Sequence, residues 1–153
     1  MIKNLKLFTV LFLALAIQSC SNNDDDDYVT QPKTIYEHVA TSSNYSYLTY
    51  ALQKTNLDGV LNGTDNYTLY APNNMAFSRF LMEAGFSNVD EVPTEVLTQI
   101  LLNHVMAGLI QYRDFETGYF QTAANSAATG TPLSIHIEQV NMRVTLNGES
   151  RIT

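Results

Sequence analysis

The chain has 153 residues, 45% hydrophobic and 15% charged, enough for one domain with its own apolar core plus flanking segments. Its formal net charge is −7; without the first 19 residues, which carry Lys3 and Lys6, 6 Lys+Arg face 15 Asp+Glu, or −9. Such an acidic chain has no electrostatic footprint for nucleic acid or anionic lipid, and its single cysteine, Cys20, excludes an internal disulfide.

Residues 1–19 read as a signal peptide rather than as part of the fold. Lys3 and Lys6 make a basic start, and the run from Leu7 to Ile17 is almost wholly apolar. That run is too short to span a bilayer but suits a signal-peptide core. Ser19 stands directly before Cys20, as in a bacterial lipoprotein processing site, although Gln18 departs from the usual small residue. The alternative is an ordinary secretory signal with an incidental cysteine. On the lipoprotein reading, lipid on Cys20 holds the mature chain on a membrane without crossing it, each buried methylene adding about 0.8 kcal/mol. Residues 20–33 then form a flexible tether, since the adjacent carboxylates Asp24 to Asp27 repel one another and cannot pack. An acidic run straight after such a cysteine resembles the surface-export signal of lipoproteins in the Bacteroidetes group. It lacks the spaced ligands and glycine turn of a calcium loop, and no metal is expected.

The globular part is expected over 34–153. Thr34 should cap a first helix bearing Ile35, His38 and Val39, with His38 a partly buried packing residue. Leu48, Ala51, Leu52 and Leu57 make a second apolar stripe beside the tyrosine cluster Tyr36, Tyr45, Tyr47 and Tyr50, which is either core or a platform for a sugar ring. After a loop at 62–66, Tyr67, Leu69 and Ala71 alternate with Thr68 and Tyr70, predicting a strand with one buried face. Pro72 should stop it, Asn73 cap a helix burying Ala76, Phe77, Phe80, Leu81 and Ala84, and Gly85 end that helix. Thr94 should cap another, lined inward by Val96, Leu97, Ile100, Leu101, His104 and Val105 and closed by Gly108. A short strand or turn is expected at 109–115, where Asp114 and Glu116 read as solvated loop carboxylates rather than an acid–base pair. A strand is expected at 118–122 and a flexible loop at 123–130. The strand opening at Pro132 should turn Leu133, Ile135 and Ile137 inward and Ser134, His136 and Glu138 outward. A turn at 139–141 precedes Met142, Val144 and Leu146 facing in; Asn147-Gly148 then signals a hairpin, with a return strand from Arg151.

Thr68, Leu69, Tyr70, Ala71, Pro72, Asn74, Ala76 and Phe77 resemble the first signature of the fasciclin domain, an extracellular adhesion and ligand-binding module. His104 and Gly108, within Leu101 to Gly108, resemble the family's Tyr-His motif followed by a hydrophobic residue and glycine, with Asn103 replacing the tyrosine. The resemblance runs from about Thr34 to the last residue. It implies an α+β fold, a fasciclin-like β-sandwich wedge with several helices packed around it. It also implies a core histidine at 104 that hydrogen-bonds backbone. The family's second signature is expected after Arg151, so the chain reads as C-terminally truncated with its last strands missing. A strand supplied by another chain is the alternative.

No nucleophile with its base, metal constellation or phosphate loop is evident, so no enzyme, catalytic residue or cofactor is expected. The leading expectation is a lipid-anchored outer-membrane or cell-surface lipoprotein that recognises an extracellular protein or glycan. The alternatives are a haem or sugar carrier using His104 or His136 with nearby tyrosines, and a non-functional fragment of a longer adhesin. Asn-x-Ser/Thr sequons at Asn44, Asn62 and Asn66 read as chance in a bacterial lipoprotein.

Overall fold

The computed structural model describes residues 33–141 and 143–152. The expected signal peptide, Cys20, almost all of the tether, Met142 and Thr153 lie outside the described residues.

Helices come first in the chain. The Thr34 hydroxyl accepts from the Glu37 N–H at 3.1 Å while the Glu37 carboxylate accepts from the Thr34 N–H at 3.0 Å. This reciprocal pair starts helix α1 (Ile35–Ala40). A 3₁₀ turn at Ser43–Tyr45 leads into α2 (Ser46–Lys54), which buries Leu48, Ala51 and Leu52, and α3 (Leu57–Leu61) follows. Strand β1 (Tyr67–Leu69) ends before Pro72; Asn73 accepts from the Ala76 N–H at 2.9 Å to begin α4 (Asn74–Ala84). Gly85, at φ +78°, ends α4 in the left-handed region. After a 3₁₀ turn at Val89–Glu91 come α5 (Thr94–Leu102) and β2 (Val105–Ala107). A third 3₁₀ turn (Tyr112–Asp114) precedes β3 (Gly118–Asn125), β4 (Pro132–Val140), β5 (Arg143–Leu146) and β6 (Ser150–Arg151).

β1 and β2 form an antiparallel ribbon in which Leu69 pairs with Val105 and Thr68 with Met106; β3 to β6 form an antiparallel meander in chain order. Two apolar cores result. The helical core holds Leu48, Leu52, Leu61, Phe77, Leu97, Leu101 and Val105, with Tyr67, Leu69 and Ala71 packed against it. The sheet core holds Tyr70, Met106, Phe115, Ile135, Ile137, Val144 and Leu146. The ribbon is the wall between them, since neighbouring residues of one strand face opposite cores. The fold class is α+β.

Several expectations are corrected. β1 does not have one buried face. Tyr67, Leu69 and Ala71 are only half-buried, while Tyr70 is 8% exposed in the sheet core, because the strand is sandwiched rather than laid on one core. In α4 only Phe77, Leu81 and part of Phe80 reach the interior; Ala76 and Ala84 are exposed, so the buried stripe is a narrow ridge. His38 is exposed. Thr94 is the first helical residue rather than the cap, and Pro93, which has no N–H to satisfy, takes the cap position. Val96 is 47% exposed. His104 and Val105 lie beyond the end of α5, because pairing of Val105 with Leu69 pulls the chain into β2, and Gly108 follows that strand rather than ending a helix. Residues 123–125 extend β3 instead of looping, and Ala124 is fully buried. β4 runs on to Val140, leaving the turn at Asn141. Leu133 is 39% exposed, on the stretch where the β3–β4 register shifts between Gln121 and Asn125.

Candidate functional site

The signature residues converge on the ribbon and its junction with α4. The Thr68 hydroxyl donates to the Gly108 carbonyl at 2.8 Å and accepts from the Ile110 N–H at 3.0 Å. The Gly108 N–H donates to the Asn66 carbonyl at 2.8 Å, and the Tyr70 N–H to the His104 carbonyl at 2.9 Å. Gly108 holds φ +92°, where any side chain would be strained. Asn74 works at longer range. Its Oδ1 accepts from the Tyr47 N–H at 3.1 Å and the Ser46 hydroxyl at 3.2 Å, and its Nδ2 donates to the Ser43 carbonyl at 2.8 Å. One amide thereby caps the start of α2 from 27 residues away. Leu69, Ala71 and Phe77 pack in the helical core, Ala76 offers its N–H to the α4 cap, and Pro72 breaks the strand. Tyr70 is buried opposite, with its hydroxyl 3.1 Å from Met106 Sδ; burial pushes its phenol up to about 12. Each motif residue therefore positions backbone or fills a core.

The other candidates are spread across the domain. His104 is half-buried with Nδ1 2.8 Å from the Ile100 carbonyl, and the neighbouring Asn103 Oδ1 accepts from the Thr122 hydroxyl at 3.1 Å, tying the end of α5 to β3. His136 lies instead on the outer face of β4, its ring centroid 4.8 Å from that of Tyr119. Among the described residues no group of three His, Cys, Asp or Glu side chains could hold a metal ion. Asp114 and Glu116 are exposed, Asp114 lying 3.7 Å from Arg113. The tyrosine cluster divides: Tyr36 and Tyr45 pack against the helical core, whereas Tyr47 and Tyr50 are exposed.

What does form a receptive surface near that cluster is an open cleft of about 280 Å³ between the end of α1 and α2. Its walls include Thr41, Ser42, Ser43, Thr49, Tyr50 and Gln53. The Tyr50 hydroxyl hydrogen-bonds the Asp90 carboxylate, which raises its pKa, with desolvation and the Asp90 charge adding to the effect. The Thr41 and Thr49 hydroxyls donate back to the Glu37 and Tyr45 carbonyls four residues earlier, at 2.9 and 3.0 Å. Hydroxyls and an amide beside an aromatic ring can exchange hydrogen bonds with a polyhydroxyl ligand. Sequence reasoning missed this cleft; its one signal was the Thr41-Ser42-Ser43 run between two helices. It also missed Lys54, whose ammonium donates to the carbonyls of Val89, Asp90 and Val92 at 3.0, 2.8 and 2.7 Å.

The family model described as Fasciclin domain matches residues 43–153. Among solved structures, the chain is similar to a FAS1 domain pair from the insect cell adhesion molecule fasciclin I. The TM-score is 0.56 at 13% identity, over 74% of this chain and 41% of that one. At that identity the likeness is one of fold, and the chain spans about two fifths of that structure's length. No curated protein matches the chain at comparable stringency.

Proposed function

Because the chain belongs to the fasciclin domain family, a family of adhesion and binding modules, we propose that it is a binding module recognising an extracellular protein or glycan, without catalysis. Lipid on Cys20 holds it at the outer membrane or cell surface, and the acidic segment behind Cys20 spaces it from the bilayer. The observation that carries this reading is the family match over residues 43–153. The hydroxyl-lined cleft beside Tyr50 supports it, as does the use of the signature residues as fold-holding contacts, which leaves recognition to exposed surfaces. The small-molecule alternative has less behind it, because His104 and His136 stand on separate parts of the fold, one just past α5 and the other on the outer face of β4.

The test has two arms. The full chain, displayed on bacteria or in detergent, is passed over an array of matrix proteins and polysaccharides, where selective retention is expected and uniform blanks would count against recognition. Radiolabelled palmitate should enter the wild-type chain and not Cys20→Ala; labelling of neither would remove the anchor.

A further inference from the structure

The outer face of the β3–β6 meander carries a feature that the family signatures do not use. Tyr119 is 80% exposed, and it pairs across the ladder with His136. Their rings lie 4.8 Å apart between centroids, tilted by 48°, so His136 holds the tyrosine as an outward platform. On the same face Glu138 pairs with Thr145 and Thr145 with Arg151, while Arg143 sits two residues before Thr145. Val144 and Leu146 point into the sheet core, which turns Arg143 and Arg151 outward. A hollow of about 570 Å³ runs along this face, walled by Glu138, Val140, Arg143 and Thr145.

Charge singles out this face. Among the described residues, Lys33 stands apart ahead of α1, Lys54 is consumed by three carbonyls, Arg79 pairs with Glu83 at 2.8 Å, and Arg113 sits beside Asp114. Arg143 and Arg151 have no carboxylate within salt-bridge distance. A chain of net charge −7 thus leaves two arginines outward on one sheet face, with an aromatic platform at its other side. By strand spacing the platform and the arginines are roughly 15 Å apart, longer than a single sugar ring.

We infer that this face is a binding site for an acidic polysaccharide bearing one carboxylate per sugar, a polyuronate. Tyr119 stacks on the apolar face of one sugar ring, and the guanidinium forks of Arg143 and Arg151 grip the carboxylates of rings farther along. Two arginines on β5 and β6, with the Glu138 carboxylate on the neighbouring strand β4, are too few for a densely sulfated chain and suit one with a single charge per ring. The inference rests on the binding-module reading and gives it a ligand class and a site.

The experiment is affinity electrophoresis of the folded full chain through gels containing polygalacturonate, dextran sulfate or neutral dextran. Polygalacturonate should retard the wild type, increasingly so at lower salt, while dextran should not and dextran sulfate should do so less. Tyr119→Ala, and separately the double variant Arg143→Gln/Arg151→Gln, should each weaken polygalacturonate binding about tenfold. Unchanged circular dichroism and thermal midpoints would show that both variants fold. Retardation unaffected by either variant, or stronger with dextran sulfate, would overturn the site. Absence of polygalacturonate binding by a chain that retains another protein or glycan on the array defeats this inference and leaves the binding-module reading standing. Blanks throughout defeat both.

Discussion

At the scale of single residues, Tyr70 shows how the fold uses a polar-tipped aromatic. Its ring fills the sheet core 6.2 Å from Phe115, and its hydroxyl finds only the weak acceptor Met106 Sδ. Desolvation disfavours the phenolate, so the folded-state pKa is about 12 against 10.0 for an unhindered tyrosine. Below pH 10 both folded and unfolded chains keep this proton, and stability is intact. Between about 10 and 12 the unfolded chain has lost the proton while the folded one retains it, so stability falls as pH rises. Urea midpoints measured from pH 8 to 12 should therefore decline through that window. In Tyr70→Phe the decline should be shallower, with Tyr50, also raised, supplying a residual slope. At pH 8 the substitution itself should cost less than about 1 kcal/mol, because a thioether is a poor partner to lose. Equal slopes in both proteins would show that Tyr70 is not the group responsible.

At the scale of elements, two side chains fix how helices meet the loops beside them. Asn74 makes three hydrogen bonds to the segment that opens α2, and Lys54 closes the end of the same helix onto the turn at Val89–Glu91. An ammonium has three donors, and here all three are used. Lys54→Met should cost about 3 kcal/mol, because charged-donor bonds are lost and three carbonyls must find water. Asn74→Ala should cost about 2 kcal/mol, in the range of a lost helix cap plus one further bond. Chemical denaturation of the two variants checks the order; an Asn74→Ala chain as stable as the wild type would reduce that signature position to a surface residue. Neither contact was legible beforehand, since partners 27 to 38 residues apart leave no local pattern. The local devices were legible: the Thr34–Glu37 box, Asn73 after Pro72, Gly85, and the turn at Asn147 and Gly148 with φ of +53° and +74°. Periodicity misled where a short strand is packed on from both sides and only half-buried, which erases the expected contrast between Leu69 and Tyr70. It misled again where a helix buries a narrower stripe than its apolar residues suggest, as Ala76 and Val96 show. In the candidate site, the motifs pointed to the ribbon, whereas the exposed faces at Tyr50 and Tyr119 depend on tertiary placement that no spacing encodes.

At the scale of the molecule, the ribbon decides whether the two cores are one folding unit. Leu69 and Val105, paired in the ribbon, belong to the helical core, while Met106, next along β2, and Tyr70, the residue just past β1, belong to the sheet core. Melting either core strips one face of the ribbon and leaves its apolar residues in water, so neither core should survive without the other. Leu101 in the helical core and Ile137 in the sheet core are both fully buried. Leu101→Ala and Ile137→Ala should each cost about 3 kcal/mol. Each should also shift one common transition, seen alike by far-ultraviolet ellipticity, which follows the helices, and by near-ultraviolet signals from the tyrosines. Two separated transitions, with Leu101→Ala moving only the helical one, would show the ribbon to be a seam between independent units rather than a shared wall.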